Sequence, residues 1–177
     1  CRPKRIKNNK LNMNRVITKV QSEALVNLKI DAINEMQERA IEHCRAANSM
    51  ILLSPTGTGK TLAYLLPLLE RIESCNKKNV RAVIIVPTRE LAKQVNEVWR
   101  GMRLQYQMVA LHGGRPVEQE AAMFAGASPV VVVGTPGRLI DHIKKGRIAV
   151  DDCSLVVIDE FDKCLEMGFC EEMDSLL

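Results

Sequence analysis

Apolar residues along this chain fall into two spacings. They run together at 50–53, 82–86, 108–111, 130–133 and 155–158. Between these runs they recur every three or four residues, as Leu62, Leu65, Leu66 and Leu69, and again as Leu91, Val95 and Val98. Short continuous runs predict strands buried on both faces, the mark of a parallel sheet. The wider spacing predicts helices. The expected order is five strands separated by helices over 60–73, 88–100, 117–125 and around 138–145, with helices over 16–28 and 35–47 ahead of the first strand. Pro67 is expected to kink or end the first part of the 60–73 helix, because it removes a backbone donor. Residues 1–12, rich in Lys, Arg and Asn, read as irregular. This alternation predicts an α/β fold: a doubly wound, mostly parallel sheet of at least five strands with helices on both faces. Ligands of such sheets bind beyond the carboxyl ends of the strands.

The segments after the strands carry the chemistry. Ser54-Pro55-Thr56-Gly57-Thr58-Gly59-Lys60-Thr61 stands between a predicted strand and a predicted helix. It matches the phosphate-binding pattern GxxxxGK(S/T), with Ser54 in place of the first Gly. Backbone N–H groups of such a loop wrap a phosphate, and the helix after it adds its positive end. Lys60 would reach the β- and γ-phosphates and Thr61 would coordinate magnesium. Asp159 and Glu160 follow the last apolar run. An Asp there can hold magnesium, and an adjacent Glu can polarise an attacking water. The plainer readings are a Gly-rich turn and two exposed carboxylates.

Three further segments narrow the choice of nucleotide enzyme: Pro87-Thr88-Arg89-Glu90-Leu91-Ala92, Gly113-Gly114 and Thr135-Pro136-Gly137-Arg138. Each offers amides, hydroxyls or a guanidinium at a strand end, suited to successive phosphates of a single strand. Each also has a local reading. Thr88 and Arg89 can cap a helix, Arg138 can pair with Asp141, and the glycines can form a turn. Trp99, on a helix, reads as packing.

Composition adds bounds. The chain has 177 residues, enough for one domain, and its 46% apolar and 26% charged residues exclude a disordered chain. No apolar run reaches the roughly 18 residues of a membrane span. No secretory signal is read at the start, and the chain begins at Cys1 rather than Met, as a fragment would. Eight Lys or Arg in residues 1–29 oppose Glu23 alone, a balance of +7, which leaves the rest at −3. The basic character is thus an N-terminal arm that can contact phosphates or simply be solvated. Cysteines at 1, 44, 75, 153, 164 and 170 include no CxxC and no zinc spacing, so reduced thiols in a cytoplasmic protein are expected, with no structural metal. Cys153 and Cys164 read as core or near-core. His43, His112 and His142 complete no triad.

Together, SPTGTGKT, PTRELA, GG, TPGR and Asp159-Glu160-Phe161-Asp162 closely resemble the DEAD-box family of ATP-dependent RNA helicases, over roughly residues 28–177. The resemblance implies the first RecA-like domain, here residues 30–177 behind the 1–29 arm. It implies ATP at 54–61, magnesium on Asp159, and Glu160 as base for the hydrolytic water. It implies RNA backbone along Pro87 to Glu90, Gly113-Gly114 and Thr135 to Arg138, with Asp162 coupling the nucleotide site to a Ser-Ala-Thr motif beyond this chain. Gln37 falls where the family reads adenine, accepting from N6 and donating to N7. It further implies a second RecA-like domain outside residues 1–177, whose arginines complete the site, so the isolated fragment is expected to be weakly active or inactive.

The sequence departs from the family in places. Phe161 replaces the usual Ala and needs packing for its ring. The stretch from Lys29 to Met36 lacks the Gly-aromatic pair and the proline, with Ile30 in place of an aromatic and Val20 not aromatic either. A GTPase is excluded: Asn76-Lys77-Lys78-Asn79 lacks the closing Asp and precedes the second strand. Two alternatives stay open, a DNA-directed translocase of the same superfamily and an RNA-binding module with little catalysis of its own.

Overall fold

The computed structural model describes residues 16–73, 79–114 and 129–176. The chain divides into two compact units: Cys1–Ser74 with Gly101–Leu104, and Cys75–Arg100 with Gln105–Leu177.

The first unit holds three helices: α1 (Lys19–Asn27), α2 (Glu35–Ala46) and α3 (Lys60–Glu73). Both α1 and α2 start with a capping box. Thr18 and Gln21 exchange side-chain and backbone hydrogen bonds across the first turn of α1, and Asn34 and Gln37 do so across that of α2. Leu25, Ile41 and Leu66, one from each helix, form the core, with Ile30, Ile33 and Leu62 packed against them. Ile30, expected in place of an adenine-packing aromatic, thus packs against a core. Polar bonds tie the helices at their far end. The fully buried Gln21 donates to the Leu66 carbonyl at 2.8 Å, and Arg45 grips Glu70 with two nitrogens at 2.8 and 2.9 Å. Such a two-point grip is among the stronger side-chain bonds.

α3 runs unbroken through Pro67, contrary to an end at that residue. Pro67 forfeits one helical hydrogen bond and costs about 3 kcal/mol in a helix interior. Leu65, Leu66, Leu68 and Leu69 are all fully buried, and each contributes roughly 1.5–3 kcal/mol, so burial wins.

The second unit is built on four parallel strands, β1 (Ala82–Ile85), β2 (Met108–Leu111), β3 (Val131–Gly134) and β4 (Leu155–Ile158), in the order β2-β3-β1-β4. Helices α4 (Arg89–Gly101), α5 (Pro136–Lys144), α6 (Phe161–Glu166) and α7 (Cys170–Leu176) follow the strands. Successive side chains of a strand face opposite ways. All four residues of β1 and of β3 are buried, so both faces are covered there, as the continuous runs predicted. Val83, Ile85, Val109, Leu111 and Val132 share a core with Leu139, Ile148, Cys164 and Met173. Trp99 is packed as expected, its indole N–H donating to the Tyr106 carbonyl at 2.9 Å.

The parallel α/β architecture is the expected one, but among the described residues the sheet has four strands rather than five. Residues 50–53, expected as the first strand, form none, and Ile51 and Leu53 are 89% and 90% exposed. The run has the apolarity of a strand, but apolarity alone supplies none of the backbone partners that a strand needs. The expected helix over 117–125 lies outside the described residues, as does the irregular segment 1–12.

The expected turn at 134–137 is also revised, because Gly134 is the last residue of β3. A Cβ there would stand 2.5 Å from the Leu111 carbonyl oxygen and 3.2 Å from Leu139. The position admits glycine alone unless the strands part. Gly134→Ala is therefore expected to destabilise the protein by about 1–3 kcal/mol. A urea titration would show a lower midpoint with unchanged slope, and an unchanged midpoint would mean that the strands yield freely.

Candidate phosphate loop and strand-end edge

Residues 54–61 of the first unit turn tightly into the start of α3. Thr58 donates its hydroxyl proton to the Pro55 carbonyl at 2.9 Å. Ser54 must then donate to Thr58 Oγ1, 2.6 Å away. Lys60, the first residue of α3, turns its ammonium back onto the Ser54 carbonyl at 3.0 Å. The loop thus closes around its own lysine. Pro55, Thr56 and Gly57 stand exposed at its rim, and Thr61 sits partly buried in the first turn of α3.

The loop is held from the side by α2. Asn34 Nδ2 donates to the Thr58 carbonyl at 3.0 Å, and Gln37 Nε2 donates to the Gly59 carbonyl at 3.1 Å. A Cβ on Gly59 would meet Gln37 Nε2 at 2.6 Å, and its φ of +88° is one that side chains oppose. Gln37, placed by resemblance as an adenine reader, is buried. Its Oε1 accepts from the Asn34 N–H at 3.0 Å. The amide keeps one lone pair and one proton beyond these bonds, which is the capacity that a base edge uses.

In the second unit, register sets the geometry. Ile85 pairs with Gly134 and with Ile158, and Leu111 pairs with Gly134. All four strands therefore end at one level, and the segments after them emerge along one edge. These are Pro87 to Glu90, His112 to Gly114, Thr135 to Arg138, and Asp159 with Glu160. The sheet thus brings together the residues expected on RNA and the expected pair of carboxylates. Thr88 accepts from the Leu91 N–H at 3.2 Å, so its capping role is real, and Arg89 pairs with Glu90 at 2.7 Å. A Cβ on Gly114 would lie 3.5 Å from Arg89 Nη1, which places that guanidinium beside the Gly-Gly turn. Asp141 pairs with Lys145 and Arg147. Thr135 is the N-cap of α5 with Pro136 in its first turn, a start that pre-sets the backbone.

Asp159 is buried, and its N–H extends the ladder to the Ile85 carbonyl at 2.9 Å. Glu160 takes φ 51° and ψ 50°, a left-handed backbone that costs a non-glycine residue about 1–3 kcal/mol. This turn sends the chain from β4 into α6, and it leaves the Glu160 carboxylate 2.9 Å from the Lys163 ammonium. That partner was not singled out from sequence. Its only signal there is the Glu-to-Lys spacing of three residues at a helix start. Asp162 lies in the first turn of α6. Phe161 is not packed away as its bulk suggested but stands 49% exposed. Among the described residues no three His, Cys, Asp or Glu cluster to hold a metal. A magnesium ion bound with nucleotide needs fewer protein ligands, often one hydroxyl or carboxylate beside phosphate oxygens, and Thr61 and Asp159 are donors of that kind. No helix among the described residues is long and apolar enough to cross a membrane.

A loop of phosphate-binding pattern and a sheet edge that carries carboxylates are the features to set beside known proteins. The DEAD/DEAH box helicase family model matches residues 34–177. The DEAD-box ATP-dependent RNA helicase CshA of Bacillus cereus is 35% identical over 144 residues, covering 80% of this chain and 27% of that protein. The mitochondrial DEAD-box ATP-dependent RNA helicase 9 of Arabidopsis thaliana is 35% identical over 159 residues, 87% of this chain and 26% of its own. Among solved structures, the RNA-helicase Prp28 from Chaetomium thermophilum bound to ADP superposes with a TM-score of 0.81 at 32% identity, over 91% of this chain and 41% of that one. The chain belongs to the DEAD/DEAH box helicase family, and its fold is that of a RecA-like helicase domain. It spans about a quarter of the length of the curated relatives that it matches.

The strand-end edge also settles the state of a thiol. Cys164 is fully buried behind the turn at Glu160. Burial first, and then the charges of Asp159, Asp162 and Glu160, push it up to about 11. A thiol with so high a pKa holds almost no thiolate at pH 8. Cys170 is exposed. Iodoacetamide at pH 8 is therefore expected to modify Cys170 in the folded protein, and Cys164 only after unfolding in urea. Mass mapping of Cys164 modified under native conditions would refute this.

Proposed function

We propose that this chain is the ATP-binding half of an ATP-dependent RNA helicase, an RNA-stimulated ATPase that couples nucleotide turnover to remodelling of RNA duplexes. The observation that carries the reading is the level ending of the four strands, which sets Asp159 and Glu160 on the same edge as Arg89, Gly113-Gly114 and Arg138. Chemistry and nucleic-acid contact on one rigid edge can be coupled by small movements of a shared sheet.

In this reading residues 54–61 wrap the ATP phosphates through backbone N–H groups. Lys60 leaves the Ser54 carbonyl to meet the β- and γ-phosphates. Thr61 and Asp159 supply oxygens to Mg2+, which neutralises phosphate charge when bound. Glu160 accepts a proton from the attacking water. Gln37 contacts adenine with the amide capacity it has left. RNA lies along Pro87, Thr88, Arg89, Glu90, Gly113, Gly114, Thr135, Pro136, Gly137 and Arg138, which offer a guanidinium, a hydroxyl or an amide to phosphate and read no bases. Asp162 couples the two activities to a second RecA-like domain, beyond residues 1–177. The compartment is read as cytoplasmic, in keeping with the free thiols of Cys44, Cys153, Cys164 and Cys170.

The test uses the full-length protein. Lys60→Ala is expected to weaken ATP binding by about 10–100-fold, the worth of one charged hydrogen bond. It should abolish RNA-stimulated hydrolysis and leave RNA binding in place. Arg89→Ala and Arg138→Ala are each expected to weaken RNA binding evenly across sequences and to lower the salt slope by about 1. Unchanged ATP affinity in the Lys60 variant, or stimulation by single-stranded DNA as strong as by RNA, would reject the reading.

A further inference from the structure

A groove of about 410 Å3 runs between α4 and β2 in the second unit, lined by Lys93, Asn96, Glu97 and Arg100 on one side and by Gln107 to Ala110 and His112 on the other. The four α4 residues stand three or four apart and so share one face of the helix. β2 is the outermost strand of the sheet among the described residues. The Gln107 and Leu111 carbonyls face β3, accepting from the N–H groups of Val131 at 3.3 Å and Thr135 at 3.2 Å. Alternation along the strand turns the N–H and C=O groups of Met108 and Ala110 away from β3. α4 leaves the strand-end edge at Arg89 and returns the chain to the start of β2. Lys93 and His112 therefore mark the end of the groove that adjoins that edge, and Arg100 and Gln107 mark the far end.

One acceptor in this groove lacks a bond. Asn96 Oδ1 is buried, and no described residue donates to it. Burial without a donor is costly, so the position suits a donor brought from outside. Two cations stand on either side of it along α4. Lys93 and Arg100 are two turns apart, about 10 Å along the helix axis, against Glu97 as the one acid of the lining. The groove thus offers cations for anions, and a lone acceptor between them for a hydroxyl. An RNA strand carries that combination, phosphates alternating with 2′-hydroxyls. A peptide strand pairing with the free side of β2 is the other occupant that such an edge admits. It would need apolar pockets for its alternate side chains, and α4 presents charged and polar groups instead.

We propose that this groove is an accessory subsite for RNA backbone. A strand laid along the strand-end edge continues past His112 into the groove, where Lys93 and Arg100 take phosphates and Asn96 Oδ1 accepts from a 2′-hydroxyl. This rests on the reading of the edge as the RNA-contacting surface. DNA has no hydroxyl to give Asn96, so the subsite favours RNA over DNA without reading a base. Glu97 opposes the phosphates and limits the affinity.

The test measures binding of fluorescent oligouridines of about 5 and about 12 nucleotides to the full-length protein. Lys93→Ala and Arg100→Ala are each expected to raise the Kd of the longer strand about 2–10-fold and to lower its salt slope by about 1, with the shorter strand unaffected. Glu97→Gln should tighten the longer strand about 2–5-fold, a sign that loss of structure does not produce. Asn96→Ala should cut the preference for the longer oligouridine over its deoxy counterpart about 2–10-fold. Hydrogen exchange at residues 107–112 should slow when the longer strand is bound. If all four variants bind the longer strand as wild type does, the proposal is overturned. Exchange at 107–112 that RNA leaves unchanged also overturns it, and leaves the groove to a peptide strand. Arg89→Ala decides the edge separately: an effect there without one from Lys93, Asn96 or Arg100 rejects the groove alone, and no effect at Arg89 rejects the reading of the edge.

Discussion

Parallel pairing with level strand ends is the constraint on which the second unit rests. In a parallel ladder each strand must be carried back before the next begins, so every strand leaves the sheet on the same side. Ile85, Leu111, Gly134 and Ile158 share one level, and segments far apart in sequence become neighbours there. The close fit of Gly134 against the Leu111 carbonyl holds that level, since any side chain would push β3 away from β2. The buried Asp159 continues the same ladder by donating to Ile85, so the first carboxylate is positioned by sheet hydrogen bonding rather than by a flexible loop.

The first unit reaches a comparable precision by other means. Its three helices share a small apolar core, and the loop before α3 borrows rigidity from the capping box of α2. Gln37 links the two, because one side chain serves the cap through its oxygen and the loop through its nitrogen. The Gly59 position follows from this contact, as a Cβ would occupy the place of the Gln37 nitrogen. A capping residue, usually a local matter of about 1 kcal/mol, here also holds the loop ahead of α3.

Much of this was legible in the sequence. Continuous apolar runs marked all four strands within a residue, and the three-to-four spacing marked α3 and α4. The strength of the motif reading came from conjunction: PTRELA, GG, TPGR and DEFD are each ordinary turns or caps, and Thr88 does cap its helix. What single-residue reasoning missed were partners. Lys163 beside Glu160 and Asn34 beside Thr58 have nothing unusual in their residue types, and the second pair is separated by 24 positions. Phe161 was misjudged because its bulk argued for packing, whereas the residue stands about half exposed at the start of a short helix.

Residue type and spacing alone determined the class of fold and the family, since each depends on local pattern: apolar periodicity, glycines where a backbone must bend, and short motifs at strand ends. Tertiary structure decided matters that require two distant segments to meet. It gave residues 50–53 no strand, because a strand exists only where another strand supplies backbone partners. It carried α3 through Pro67, because burial of four leucines outweighs one missing hydrogen bond. It also bound the phosphate loop to α2 through two side-chain amides, a bond of orientation that composition does not encode.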